Sequence, residues 1–156
     1  MTARPPTRGF TLIELVVVMT MIGIGAALVL PSVRNALVQQ RVRASATDLM
    51  SSLLLARSEA IKRNGLVSIA PHGPAWTGGW DVTGVDEGDA IEHKDALGDG
   101  VIVAHAPYAV TFTGNGRLGS AALVRFEIQA VTSTLLTRCI TLDPAGLPRL
   151  ADGSCS

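Results

Sequence analysis

"RGFTLIELVVVMTMIGIGAALVLP", residues 8–31, decides how the rest of the chain is read. Residues 15–30 are apolar apart from Thr20, with Gly23 and Gly25 as the only other interruptions. About 20 apolar residues suffice to cross a bilayer as a helix. Glu14 stands near the start of this run. A carboxylate costs about 2.5–3.5 kcal/mol at the centre of a membrane helix on insertion scales, and less near an end. The preceding "MTARPPTRG" is short, basic through Arg4 and Arg8, and broken by Pro5 and Pro6. A secretory signal also has a basic start, an apolar stretch and a small-residue cleavage site. Against that alternative, Glu14 falls where the apolar stretch of a signal should begin, and the helical pattern continues past residue 31.

Beyond Pro31, the apolar residues Val38, Val42, Leu49, Leu53, Ala56 and Ala60 recur at spacings of three, four or seven. Arg41, Arg43, Asp48, Ser52, Glu59, Lys62 and Arg63 occupy the other face. This is the pattern of an amphipathic helix with one stripe on a core. Pro31 is expected to kink the helix rather than end it. Asn64-Gly65 supplies the stop, with the glycine suited to a left-handed position, and Lys62 and Arg63 complement the negative end of the helix dipole. One helix is therefore expected from about residue 10 to about residue 63. Its first half is apolar all round and its second half one-sided.

From Leu66 the pattern changes to short runs rich in Val, Ile, Thr and Phe: "LVSIA", "WDVTGV", "VIVAHA", "YAVTF", "LVRFEIQ" and "RCITL". Glycine-rich turns separate them, which predicts one or more antiparallel sheets. With the stripe of residues 38–60 as the helical layer, an α+β domain follows. The divisions expected are residues 1–9, 10–30, 31–64 and 65–156. These are a leader, a membrane or filament-core helix, its amphipathic continuation and a β-rich globular domain.

The 156 residues carry no formal net charge, and 4% are aromatic. No basic field or stacking platform argues for nucleic acid. Hydrophobic residues make up 47%, with a mean hydropathy of +0.36, much of it from residues 15–30. The two cysteines, Cys139 and Cys155, lie near the C-terminus. Outside the cytosol they would form a disulfide, contributing about 3 kcal/mol in the chain-entropy model. In a cytosolic chain they would be two unrelated thiols.

"GFTLIE" at residues 9–14, ahead of an apolar run and Pro31, resembles the class III signal of type IV pilins and type II secretion pseudopilins. The resemblance implies cleavage between Gly9 and Phe10 by a prepilin peptidase and N-methylation of Phe10. It also implies that Glu14 pairs with the Phe10 amine of a neighbouring subunit during filament assembly. An acid in an apolar bundle is tolerable when paired, so this is physically sensible. Arg34, Arg41 and Arg43 follow the span with no acid before Asp48. Charge counting therefore gives no clean orientation, and the expected one rests on the resemblance. It is single-pass in the inner membrane with the C-terminal domain in the periplasm.

"WTGGW" at residues 76–80, "VTFTGNGRL" at residues 110–118 and "RCITLDPAGLPR" at residues 138–149 resemble the GspH/FimT minor pilins and pseudopilins. That implies a subunit that initiates or caps a type IV pilus or a type II secretion pseudopilus. Its expected partners are other pilin subunits, the prepilin peptidase and membrane lipid. Some FimT-type pilins receive DNA through a G-R-x-R motif. Here Gly146-Leu147-Pro148-Arg149 keeps only the second arginine. Arg117, Arg125 and Arg138 could join Arg149 if the fold gathers them, but one phosphate contact is a weak footprint.

"GNGRLG" fits a dinucleotide fingerprint letter for letter, but a strand-like run follows where a helix is required, so it reads as a turn. Asp81, Asp86, Glu87, Asp89, Asp95 and Asp99 make an acidic stretch without calcium-loop spacing. His72, His93 and His105 are scattered, without metal-ligand spacing. No metal or cofactor is expected. No nucleophile signature is present, so catalysis is unsupported, and the resemblance to prepilins implies a substrate of enzymes instead.

Overall fold

The computed structural model of the chain describes residues 9–85 and 88–155, with the side chains of all of these but 27–32 and 133–135. Residues 1–8 of the expected leader, and Asp86 and Glu87 of the acidic stretch, lie outside the described residues. The chain divides into two compact units, Met1–Leu37 and Val38–Ser156, with helix α1 (Leu12–Arg63) running through both. Pro31 lies within α1 and does not end it.

In the first unit, Thr11 is the N-cap of α1. Its Oγ1 accepts from the Glu14 amide at 3.3 Å, and its carbonyl accepts from the Leu15 amide at 3.2 Å. "TLIE" is thus the sequence of a capping box, with Glu14 three residues after the cap. Phe10, Leu12, Ile13, Met19, Met21 and Ile24 are all more than 60% exposed, so the described apolar side chains of this unit form no core. Thr20 returns its hydroxyl to the Val16 carbonyl at 2.7 Å, which satisfies the one polar side chain in the run. No helix among the described residues is long and apolar enough to cross a membrane. The apolar run of residues 15–30 continues into residues 27–30, whose side chains are not described.

In the second unit, Val42, Ala46, Leu49, Leu53, Ala56 and Ala60 are buried at alternating spacings of four and three. The expected stripe is therefore continuous, with Ala46 filling the gap between Val42 and Leu49. Val38 packs against the core at its margin. Ser52, expected on the polar face, is instead buried, and its Oγ has no partner among the described residues. It lies three residues after Leu49 and four before Ala56, so it shares their side of the helix.

The helix stops at Arg63, as expected, but the left-handed residue after it is not the expected one. Asn64, with φ 50, takes the left-handed conformation assigned to Gly65. The Asn64 amide bonds the Ile61 carbonyl and the Gly65 amide bonds the Ala60 carbonyl, each at 3.2 Å, which is a Schellman cap. Asparagine tolerates this region better than other non-glycine residues.

The sheets are β1 (Val67–Pro71), β2 (Trp80–Gly84), β3 (Ala90–Lys94), β4 (Val101–Ala104), β5 (Val110–Phe112), β6 (Val124–Ala130), β7 (Ser133–Leu142) and β8 (Pro148–Asp152). They form two antiparallel four-stranded sheets, ordered β3-β2-β1-β5 and β4-β6-β7-β8. Ile69, Trp80, Val82 and Phe112 from the first sheet join Phe126, Ile128, Ile140 and Leu142 from the second around the helix stripe. β3 was not expected, because it lies inside the acidic stretch. None of its residues is fully buried, so no buried face marks it in the sequence.

"GNGRLG" is a turn. The Gly116 amide bonds the Thr113 carbonyl at 2.7 Å, and the Thr113 amide bonds the Arg117 carbonyl at 2.9 Å. Of the three loop residues Gly114, Asn115 and Gly116, only Gly116 (φ 75) has positive φ, so this is a three-residue loop rather than a tight Asn-Gly turn. Cys139 and Cys155 are joined in a disulfide with Cα atoms 5.2 Å apart, tying the tail to β7.

Candidate functional site

The N-terminal residues singled out by the sequence gather at the start of α1. Gly9 and Phe10 precede the helix and are exposed, and a Cβ at Gly9 would meet no described atom within 4 Å. A peptidase needs accessible backbone, and Gly9 and Phe10 are exposed. Glu14 is exposed in the first helical turn, and its carboxylate has no ion-pair partner among the described residues. Negative charge there complements the positive end of the helix dipole. Thr11 bonds the backbone amide of Glu14, so the carboxylate itself remains available.

The arginines do not all form one surface: Arg125 and Arg149 flank Thr141 in register and share a face, whereas Arg138 does not join them. Arg138 Nε holds Asp152 Oδ1 at 2.8 Å, which neutralises it. Arg149 pairs in register with Thr141, three residues along β7 from Arg138, so strand alternation sends Arg138 and Arg149 to opposite faces. Arg117 sits in the turn of residues 113–117.

The histidines were misjudged as scattered. The loop after β1 folds back so that the His72 amide bonds the Gly79 carbonyl at 3.0 Å. Gly79 (φ 92) runs so close to the end of β3 that a Cβ would strike the Lys94 carbonyl. This close approach, together with the pairing of Asp81 and His93 across β2 and β3, brings His72, Asp81 and His93 together. The two imidazole rings stack with centroids 4.5 Å apart. His72 Nε2 lies 2.8 Å from Asp81 Oδ2, and His93 Nδ1 lies 2.8 Å from Asp81 Oδ1. The polar contact with Asp81 raises the His72 pKa, against the opposing effect of burial. The Asp81 carboxyl is lowered chiefly by His72. No sequence spacing signals this group, because the three positions meet through strand register. His105 stands apart, with Nδ1 3.4 Å from Glu127 Oε2.

A charge cluster also closes the C-terminal end of α1. Arg63 Nε reaches Glu59 at 3.0 Å, its Nη1 reaches Asp89 at 2.6 Å, and Lys62 meets Glu59 at 3.0 Å. Glu59 and Asp89 are both held below the usual carboxylate range, chiefly by Arg63.

A long N-terminal helix with a capped, exposed entry, packed on two antiparallel sheets, defines an α+β fold of the pilin kind. The chain belongs to the family described as Type II transport protein GspH, which matches residues 45–146. The prokaryotic N-terminal methylation motif matches residues 4–30. Among solved structures, the type IV minor pilin FimU of Pseudomonas aeruginosa aligns with a TM-score of 0.65 at 24% identity, over 72% of this chain and 89% of that one. A second crystal form of FimU gives 0.62 at 25%, over 70% and 91%. The minor pseudopilin EpsH of the Vibrio cholerae type 2 secretion system gives 0.56 at 17%, over 72% and 97%. No curated protein matches the chain. The chain is thus a minor pilin or pseudopilin of a type IV pilus or type II secretion system, which implies other pilin subunits as partners.

Proposed function

We propose that the chain is cut between Gly9 and Phe10, N-methylated on Phe10 and held in the inner membrane as a single-pass protein by residues 10–30. The domain then lies in the periplasm, and the subunit initiates or caps a thin filament with other minor subunits. The observation that carries this reading is the exposed Glu14 carboxylate, without an ion-pair partner, in the first turn of a helix whose apolar side chains are open. Such a carboxylate becomes affordable in an apolar bundle when a neighbour's Phe10 amine pairs with it. The Cys139–Cys155 disulfide fits an oxidising compartment.

Mass spectrometry of the membrane form tests the processing. An N-methylated Phe10 terminus is expected, and an intact Met1 or an unmethylated Phe10 would leave a plain membrane anchor as the better reading. Deletion of the gene separates the two machines: loss of pili and twitching marks a pilus subunit, whereas exoproteins trapped in the periplasm mark a secretion pseudopilin. DNA reception is the weaker alternative, because Arg138 is engaged by Asp152 and lies across the sheet from Arg149. A salt-sensitive shift of duplex DNA by the full chain would revive it.

A further inference from the structure

We propose that His72, Asp81 and His93 form a binding site for a divalent transition-metal ion of the zinc type. The donor set is two imidazoles and one carboxylate, whose ligand atoms all lie within 4.8 Å of one another. Zinc bonds nitrogen and oxygen at about 2.0–2.2 Å, so tetrahedral ligands stand about 3.3–3.5 Å apart. Reaching that spacing from the 2.8 Å contacts needs only small side-chain rotations.

The orientation of His72 suits a metal ligand. Its Nδ1 faces the Gly78 carbonyl at 3.2 Å, an atom that can only accept, so Nδ1 carries the hydrogen. In the neutral ring, Nε2 then presents a lone pair. That atom is buried and makes no hydrogen bond, although Asp81 Oδ2 is 2.8 Å away. A lone pair facing a carboxylate oxygen is unfavourable, so a cation must lie between them, either a proton on Nε2 or a metal ion that displaces it. A backbone carbonyl holding the distal N–H of a metal-bound histidine is the usual supporting contact of such sites. Asp95 Oδ1 lies 3.6 Å from His93 Nε2, too far for a hydrogen bond.

Three protein ligands leave a fourth position for water or for a group from another molecule. His72 follows β1, Asp81 is on β2 and His93 is on β3, so the ion would fasten the outermost strand of the first sheet to the two behind it.

The test is a titration of the full chain in detergent with Co2+, followed by its visible absorption, and then displacement by Zn2+. A single equivalent with an imidazole-type spectrum is expected. His72→Gln and His93→Gln should each weaken uptake by at least about tenfold, the range even supporting contacts reach. His105→Gln should leave it unchanged. His93 is 62% exposed on an edge strand, so its variant keeps the fold even if His72→Gln does not. Failure of the wild-type chain to take up Co2+ or Zn2+ overturns the proposal, as does uptake unaltered by His93→Gln or abolished by His105→Gln.

Discussion

Trp76 donates its indole Nε1–H to the carbonyl of Pro107 at 2.7 Å, and its ring meets Phe126 edge-on at 4.9 Å. Trp76 lies between β1 and β2 of one sheet, whereas Pro107 follows β4 and Phe126 is on β6 of the other. One side chain therefore joins the two sheets by both a polar and an apolar contact.

Trp76→Phe should destabilise the protein by about 1–3 kcal/mol, because the Pro107 carbonyl loses its donor in a partly buried setting. Trp80→Phe should cost less, since the buried Trp80 Nε1 has no partner to lose. Urea unfolding of the two variants checks the ranking, and equal losses would contradict it.

Gly146→Ala should cost at least about 1–2 kcal/mol, the strain of a left-handed residue bearing a Cβ. Gly146 has φ 78, and the added carbon would collide with the Gly116 carbonyl. That carbonyl already accepts from Arg57 Nε at 2.9 Å, so the collision would also disturb a bond between the helix and the turn. Thermal melting reads the effect, and a neutral outcome would mean that the loop of residues 143–147 yields freely.

Acid should remove the help Arg63 gives. Glu59 and Asp89 have pKa values below their ordinary 4.5 and 3.8. Depressed carboxylates stabilise the fold above the ordinary values, and that contribution is lost as pH falls through the lowered ones. Arg63→Gln should therefore lower Tm at neutral pH and make little difference well below pH 3.8. Asp89 is 42% exposed and screened by solvent, so its share of the effect is small. An Arg63→Gln penalty that grew towards low pH would reverse the assignment.

Reduction of Cys139–Cys155 should lower stability by about 3 kcal/mol, given the separation of 16 residues. The comparison is Tm with and without a thiol reductant, and an unchanged Tm would mean that the tail is held by its other contacts.

Glu14→Ala should abolish incorporation into filaments while leaving helix α1 intact, because the Thr11 cap bonds the backbone amide of residue 14. Thr11→Val should instead cost about 1 kcal/mol of helix stability. Filament counts and circular dichroism of both variants separate assembly from capping. Loss of helix in Glu14→Ala would assign the residue to capping.

The helix and its stripe were legible because burial on one face imposes a period of 3.6, which Val42, Leu49, Leu53, Ala56 and Ala60 obey. The strands with a buried face, such as Val67–Pro71 and Val124–Ala130, were legible by the same logic at period two. β3 was hidden because an edge strand with no fully buried residue has no face to impose alternation. The left-handed Asn64 was misplaced by one residue, since Asn-Gly offers two candidates and only the Ala60 and Ile61 carbonyls choose between them. His72, Asp81 and His93 were invisible as a group because strand register, not sequence spacing, makes them neighbours.

The outermost strands of both sheets share a property with consequences for life among many copies. β5 is 3 residues long and β4 is 4, β3 carries Glu92, His93 and Lys94 beside a register break, and β8 begins with Pro148. Shortness, charge, bulges and proline are the means by which exposed sheet borders resist adding further strands. Neighbouring domains crowded side by side would thus slide past one another without fusing into a continuous ribbon, leaving the order of subunits to more selective contacts.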